Sequence, residues 1–178
     1  MYIYYLIKKL NTMIENWSII LLSALVPLVV GFIWYNPKVF GKVWMSASGM
    51  TLEKAQEAKL PLILVLSYVF SCMLAMALLP ITIHQTHVYS IFLANDGFGV
   101  DGSELMNRIA NFLGEDINNF RTFKHGALHG AITALFLTLP VLSINAIYEQ
   151  KGFKYIAVHT GYWIVSLALM GGFICQWV

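Results

Sequence analysis

The residues of this chain best suited to chemistry are its histidines, and four of them fall in two close pairs: His84 and His87 at spacing i, i+3, and His125 and His129 at i, i+4. On a helix either spacing puts two imidazoles on one face, and imidazole nitrogens at such spacing are usual ligands for Zn or Cu. The same pattern arises without a metal, because a histidine ring joins an apolar body to a polar edge and collects at interfaces. No cysteine or nearby carboxylate completes a recognised ligand set. The sequence therefore favours no metal, haem or other cofactor, and leaves His84, His87, His125 and His129 as the candidate ligands. His159 is expected near the opposite surface and cannot join them.

A second polar group is Asn145, Glu149, His159 and Tyr162, with Asn36 as a neighbour. Asn145 and His159 flank the EQKG turn, roughly 10 Å along their helices by the helical rise. One reading is an ion, proton or small-solute site, since polar groups in a membrane are costly and face the interior of a bundle. The simpler reading is a hydrogen bond from Asn145 to His159 or Tyr162, worth about 1 kcal/mol, that sets the register of the hairpin. The lack of a buried Asp or Arg of the kind pumps use favours the simpler one.

Four apolar stretches must position these groups: residues 17–35, 60–83, 126–148 and 153–177, with no Asp, Glu or Arg in any interior. At a rise of about 1.5 Å per residue each is long enough to cross a hydrocarbon layer of about 30 Å. The chain is 58% hydrophobic and only 11% charged, outside the balance of a soluble domain. The expected fold is an all-α integral membrane protein: four transmembrane helices in an antiparallel bundle, an amphipathic interfacial segment after helix 1, and a partly helical loop between helices 2 and 3. Residues 1–16 form an N-terminal extension and residues 17–178 a single four-span domain. A net charge of +2, with basic residues scattered between the spans, excludes nucleic acid as a partner. No nucleophile elbow, phosphate loop or H-E-x-x-H occurs, so no catalytic residue is assigned.

The connections have their own signals. NPKVFGKVWM mixes aromatics with lysines as segments at lipid headgroups do. Thr51 caps a short helix over 52–59, and Ser103 caps another over 104–113 that Gly114 ends. In the latter, Leu105, Ile109, Phe112 and Leu113 share a face expected to cover the ends of the spans. Pro27, Pro80 and Pro140 each free a backbone carbonyl and favour a bend. Gly126-x-x-x-Gly130-x-x-x-Ala134 and Ser67-x-x-x-Ser71-x-x-x-Ala75 are stripes that let helix backbones approach closely. Cys72 and Cys175 lie at different depths and read as packing residues, not a disulfide. Lys38, Lys42, Lys54, Lys59, Lys151 and Lys154 lie on one side, against Arg108, Arg121 and Lys124 on the other, joined by Lys8 and Lys9 of the extension. The positive-inside rule then puts both termini and loop 84–124 outside.

The blocks NWSIILLSALVPLVVGFIWYNPKVFGKVWM and NAIYEQKGFKYIAVHTGYWIVSLALMGGFICQW resemble the bacterial membrane family catalogued as domain of unknown function 1761. The motif positions are Trp34, Tyr35, Asn36, Pro37, Phe40, Gly41, Lys42 and Trp44 in the first block, and Asn145, Glu149, Gly161, Tyr162, Gly171 and Trp177 in the last. The resemblance implies a small four-span protein of a bacterial inner membrane and no assigned activity. It does not reach the histidine-bearing HGALHG segment. The expected role is a non-enzymatic accessory or assembly subunit of a homo-oligomer or larger membrane complex, with lipid and other membrane subunits, or copies of itself, as partners. A small channel or carrier is the first alternative, and a metal- or haem-binding redox subunit the second.

Overall fold

The computed structural model describes residues 16–178; residues 1–15 of the N-terminal extension lie outside it. Among the described residues there are helices, turns and loops, and no strand. Four helices are long and apolar enough to cross a membrane: α1 (Asn16–Trp34), α4 (Leu60–Thr82), α7 (Phe123–Tyr148) and α8 (Phe153–Trp177). Shorter helices fill the connections: α2 (Gly41–Ser48) and α3 (Leu52–Gln56) after α1, then α5 (Gln85–Ile91) and α6 (Glu104–Leu113) between α4 and α7.

The helix α8 is the hub. Half of the residues in its most apolar stretch are buried inside the chain, against 17% in α4 and in α7. Its core side chains Leu167, Met170 and Ile174 pack with Ile20 and Ala24 of α1, Ala75 and Leu78 of α4, and Ala134 of α7. The glycine stripe of α7 lies directly on it. A Cβ at Gly126 would collide with the Gly171 carbonyl and Cys175, and one at Gly130 with the Leu167 carbonyl. Gly126 meets residue 171 and Gly130 meets residue 167, so this pair of helices runs in opposite directions, as the short 149–152 turn demands.

The prolines act locally. At Ala24 and Leu25, just before Pro27, the helical pattern of α1 tightens, and the Leu25 amide bonds the Leu22 carbonyl at 3.0 Å. In α7 a π-helical segment, Ala134–Thr138, precedes Pro140. A proline ring clashes with the carbonyl four residues back, and one extra residue in the turn relieves that clash. Thr51 and Ser103 cap α3 and α6 as expected, accepting from the Lys54 and Met106 amides. Gly114 stops α6 with a positive φ of 45°. Cys72 and Cys175 are free thiols.

Two local expectations fail. Leu105, Ile109 and Leu113 are buried, but against Val88, Tyr89, Phe92 and Phe98 of α5 and the adjoining loop, not against the ends of the spans. This small second core covers the loop's own helix, and Phe112, on the far side of α6, is 76% exposed. The helix after Thr51 ends at Gln56 and not at Lys59, because Lys59 leaves the helical region, with ψ 74°, to cap the start of α4.

The tight α7–α8 contact has a direct consequence. Gly130→Val should lower stability against unfolding in detergent by about 1–3 kcal/mol, the usual cost of overpacking. Gly152→Ala, where an added Cβ meets nothing within 4 Å, should leave the transition unchanged.

Candidate functional site

The first motif block folds back on itself at the end of α1. The Asn36 side-chain oxygen accepts from the Lys38 amide at 2.9 Å, and its carbonyl accepts from the Val39 and Gly41 amides, also at 2.9 Å. That turn presses Gly41 onto the Tyr35 and Asn36 backbone, where no side chain fits. Pro37 and Lys42 are left exposed. The aromatics close over the turn: Trp34 against Phe40 with ring centroids 4.4 Å apart, and Tyr35 against Trp44 at 5.3 Å.

These rings dock on the first turns of α8. The Trp34 indole lies over Gly161, where a Cβ would come within 2.7 Å of it, and its Nε1 donates to the Val158 carbonyl at 3.0 Å. The Tyr35 hydroxyl lies 3.0 Å from His159 Nδ1. Burial first, then the neighbouring Tyr162 and Tyr155 hydroxyls, push the Tyr35 hydroxyl up from its ordinary range. Which of the two groups donates depends on the tautomer of His159. His159 Nε2 is buried with no hydrogen-bond partner among the described residues. The Tyr162 hydroxyl donates to the Pro27 carbonyl at 3.0 Å, which ties α8 to α1 just past its irregular stretch. Lys151 of the EQKG turn donates to the Ser48 carbonyl of α2 at 3.1 Å, which ties the first and third connections to the same end of the molecule.

The expected partner of this group is absent from it. Asn145 and Glu149 are exposed, and neither His159 nor Tyr162 bonds to Asn145. The residue of α7 that faces inward at this level is Ala146, 1% exposed; one residue is about 100° of helix rotation, which turns Asn145 away. Tyr35, one residue past the end of α1, takes the place assigned to Asn145. Beside the junction, Tyr35, Trp44 and Tyr162 line one end of a cavity of about 520 Å³ whose remaining wall is largely apolar side chains of α1 and α4, with Ser67 and Ser71 among them.

At the opposite end of α8, three of the four paired histidines meet. The ligand nitrogens of His84, His125 and His129 all lie within 4.8 Å of one another. His125 Nε2 and His84 Nε2 are 2.8 Å apart, and the His129 ring centroid is 4.4 Å from that of His125 and 4.9 Å from that of His84. Thr122 caps α7 through the His125 amide, so His125 and His129 stand one turn apart on one face. His87 is not with them. The helix α4 ends at Thr82, and His84 is the N-terminal cap residue of the separate helix α5; the change of direction carries His87 to the exposed surface.

Three further residues lie around this end of α8, none of which the sequence connects with the histidines. The Cys175 thiol faces the Thr82 and Phe120 carbonyls at 3.2 and 3.3 Å, and Arg121 Nε donates to the Cys175 carbonyl at 2.9 Å. Phe120 holds a left-handed backbone with φ 62°, rare for a bulky residue, and its ring lies 5.1 Å from that of His125.

Fold and site together define a class, helical proteins whose four longest helices have the length and apolarity to cross a membrane. The model of the family described as "Protein of unknown function (DUF1761)" matches residues 18–175, and the chain belongs to that family. No curated protein and no solved structure matches it.

If the junction rests on Tyr35 and not on Asn145, Tyr35→Phe should lower stability in detergent by about 1 kcal/mol. Asn145→Leu should change it by less than about 0.5 kcal/mol, as at an ordinary surface position. Denaturant unfolding of both variants beside the parent chain checks this.

Proposed function

We propose that the chain is an integral membrane protein in which the four long helices form an antiparallel bundle and α2, with the aromatics and lysines around it, rests at the lipid headgroups. Its role is that of an accessory or assembly subunit within a homo-oligomer or a larger membrane complex, with no catalytic step of its own. The observation that carries this reading is the outer surface. Large apolar side chains such as Leu62, Val65, Phe70 and Met73 on α4, and Phe136, Leu137 and Val141 on α7, are exposed along whole helix faces. Lipid tails or the helices of a partner cover such faces. The cavity beside Tyr35 supports the same role, since walls that are mostly apolar suit a lipid tail or a partner's side chain better than a hydrated ion.

The lysine distribution favours an orientation with both termini and loop 84–124 outside, in a bacterial cytoplasmic membrane. An impermeant amine reagent applied to intact cells should then leave Lys42 and Lys151 equally protected and modify Lys124. Purified gently in detergent and cross-linked, the protein should run as a homo-oligomer or with a defined companion, and reconstituted vesicles should show no more flux of monovalent ions or small polar solutes than empty ones. A selective, saturable flux lost on Tyr35→Phe would replace this reading with the carrier.

A further inference from the structure

We propose that His84, His125 and His129 form a binding site for one divalent first-row transition-metal ion, held by three imidazoles with a fourth position open to solvent. A tetrahedral ion with metal–nitrogen bonds of about 2.0–2.1 Å needs its ligand nitrogens about 3.3 Å apart. The separations here, 2.8 Å between the two Nε2 atoms and none above 4.8 Å, bracket that value, so small rotations of the rings close the set. Three neutral imidazoles alone cannot all satisfy their lone pairs on one another. Between His84 and His125 one proton serves two nitrogens, and His129 brings a third.

The geometry supplies what the spacing alone lacked. Two ligands stand one turn apart on α7, and the third comes from the turn that follows α4, so an ion there ties two separate elements. Carboxylates and thiolates are missing from the set, which selects against Mg and Ca and for the imidazole-binding ions Zn, Cu and Ni. The one nearby thiol, Cys175, is turned to the Thr82 and Phe120 carbonyls. The Arg121 guanidinium is held by the Cys175 carbonyl. Phe120 shields one side through its ring contact with His125, and His84 is exposed, leaving the other side to water or an incoming ligand. Three protein ligands and an open place are the pattern of exchangeable or reactive sites, as opposed to closed structural ones.

The full chain, purified in mild detergent with any affinity tag removed and its metal stripped by a chelator, is titrated with Co²⁺ alone. One Co²⁺ per chain is expected, with the intense visible absorption of a tetrahedral ion, and Zn²⁺ should displace it. His125→Gln and His129→Gln should each weaken binding at least tenfold, and His87→Gln should not. His84→Gln changes an exposed side chain, so it keeps the test sharp if an α7 variant loses its helicity; it too should weaken binding at least tenfold. A parent chain that takes up no Co²⁺ below millimolar concentration overturns the proposal. So does an affinity unchanged by His84→Gln, or one reduced equally by His87→Gln.

Discussion

Everything in this molecule is arranged around the close backbone approach of α7 to α8. Gly126 and Gly130 have no room for a Cβ against the Gly171 and Leu167 carbonyls. Where helix surfaces are as apolar as the lipid around them, burying oil against oil gains little, and van der Waals contact between backbones becomes the main attraction. Glycine makes that contact possible. Gly171 is shared: an added Cβ there would also come within 3.3 Å of Thr82 on α4. One glycine-lined strip of α8 therefore seats two other helices.

From that strip the histidine triad follows. Fixing Gly126 fixes His125 beside it and His129 one turn on. The Cys175 thiol, four residues beyond Gly171 and so on the same face, reaches the Thr82 carbonyl at the last turn of α4, and His84 is two residues past Thr82. At the other end the logic repeats with a different small residue. Gly161 receives the Trp34 indole, and this brings Tyr35 to His159. Of the motif positions, Trp34, Tyr35, Phe40, Gly41 and Trp44 of the first block and Gly161 and Tyr162 of the last thus form the two halves of one contact, while Asn145 and Glu149 are exposed outside it and Gly171 belongs to the α7 seam.

How far the sequence reveals this depends on what each signal measures. Apolar length locates the four long helices to within a few residues, because a run of that length has few alternatives. Caps such as Ser103 and Thr51 are local chemistry and are readable locally. Rotation about a helix axis is not. The long helices are apolar nearly all round, so no amphipathic stripe tells which side of α7 faces α8, and Asn145 was assigned inward when Ala146 holds that place. The glycine stripe carries the phase of the first half of α7 only, because the π segment at Ala134–Thr138 interrupts the regular rotation before Asn145, and that segment has no clear mark in the sequence beyond Pro140 behind it. His87 was misplaced for another reason. Its spacing from His84 has helical meaning only if the helix continues, and α4 stops at Thr82.

The separation of the two polar ends bears on mechanism. His159 and Cys175 are sixteen residues apart on α8, about 24 Å by helical rise. Between them the interior is closed by Ala75, Leu78, Ala134, Leu167 and Met170, none more than 2% exposed. A carrier that used both ends would have to open this packing and break the glycine-mediated contacts of α7 with α8. An assembly role asks nothing of it. Under the proposed assembly role the packed centre would hold two surfaces apart: the aromatic junction with its apolar cavity at one end, and the imidazole triad, joined to loop 84–124, at the other.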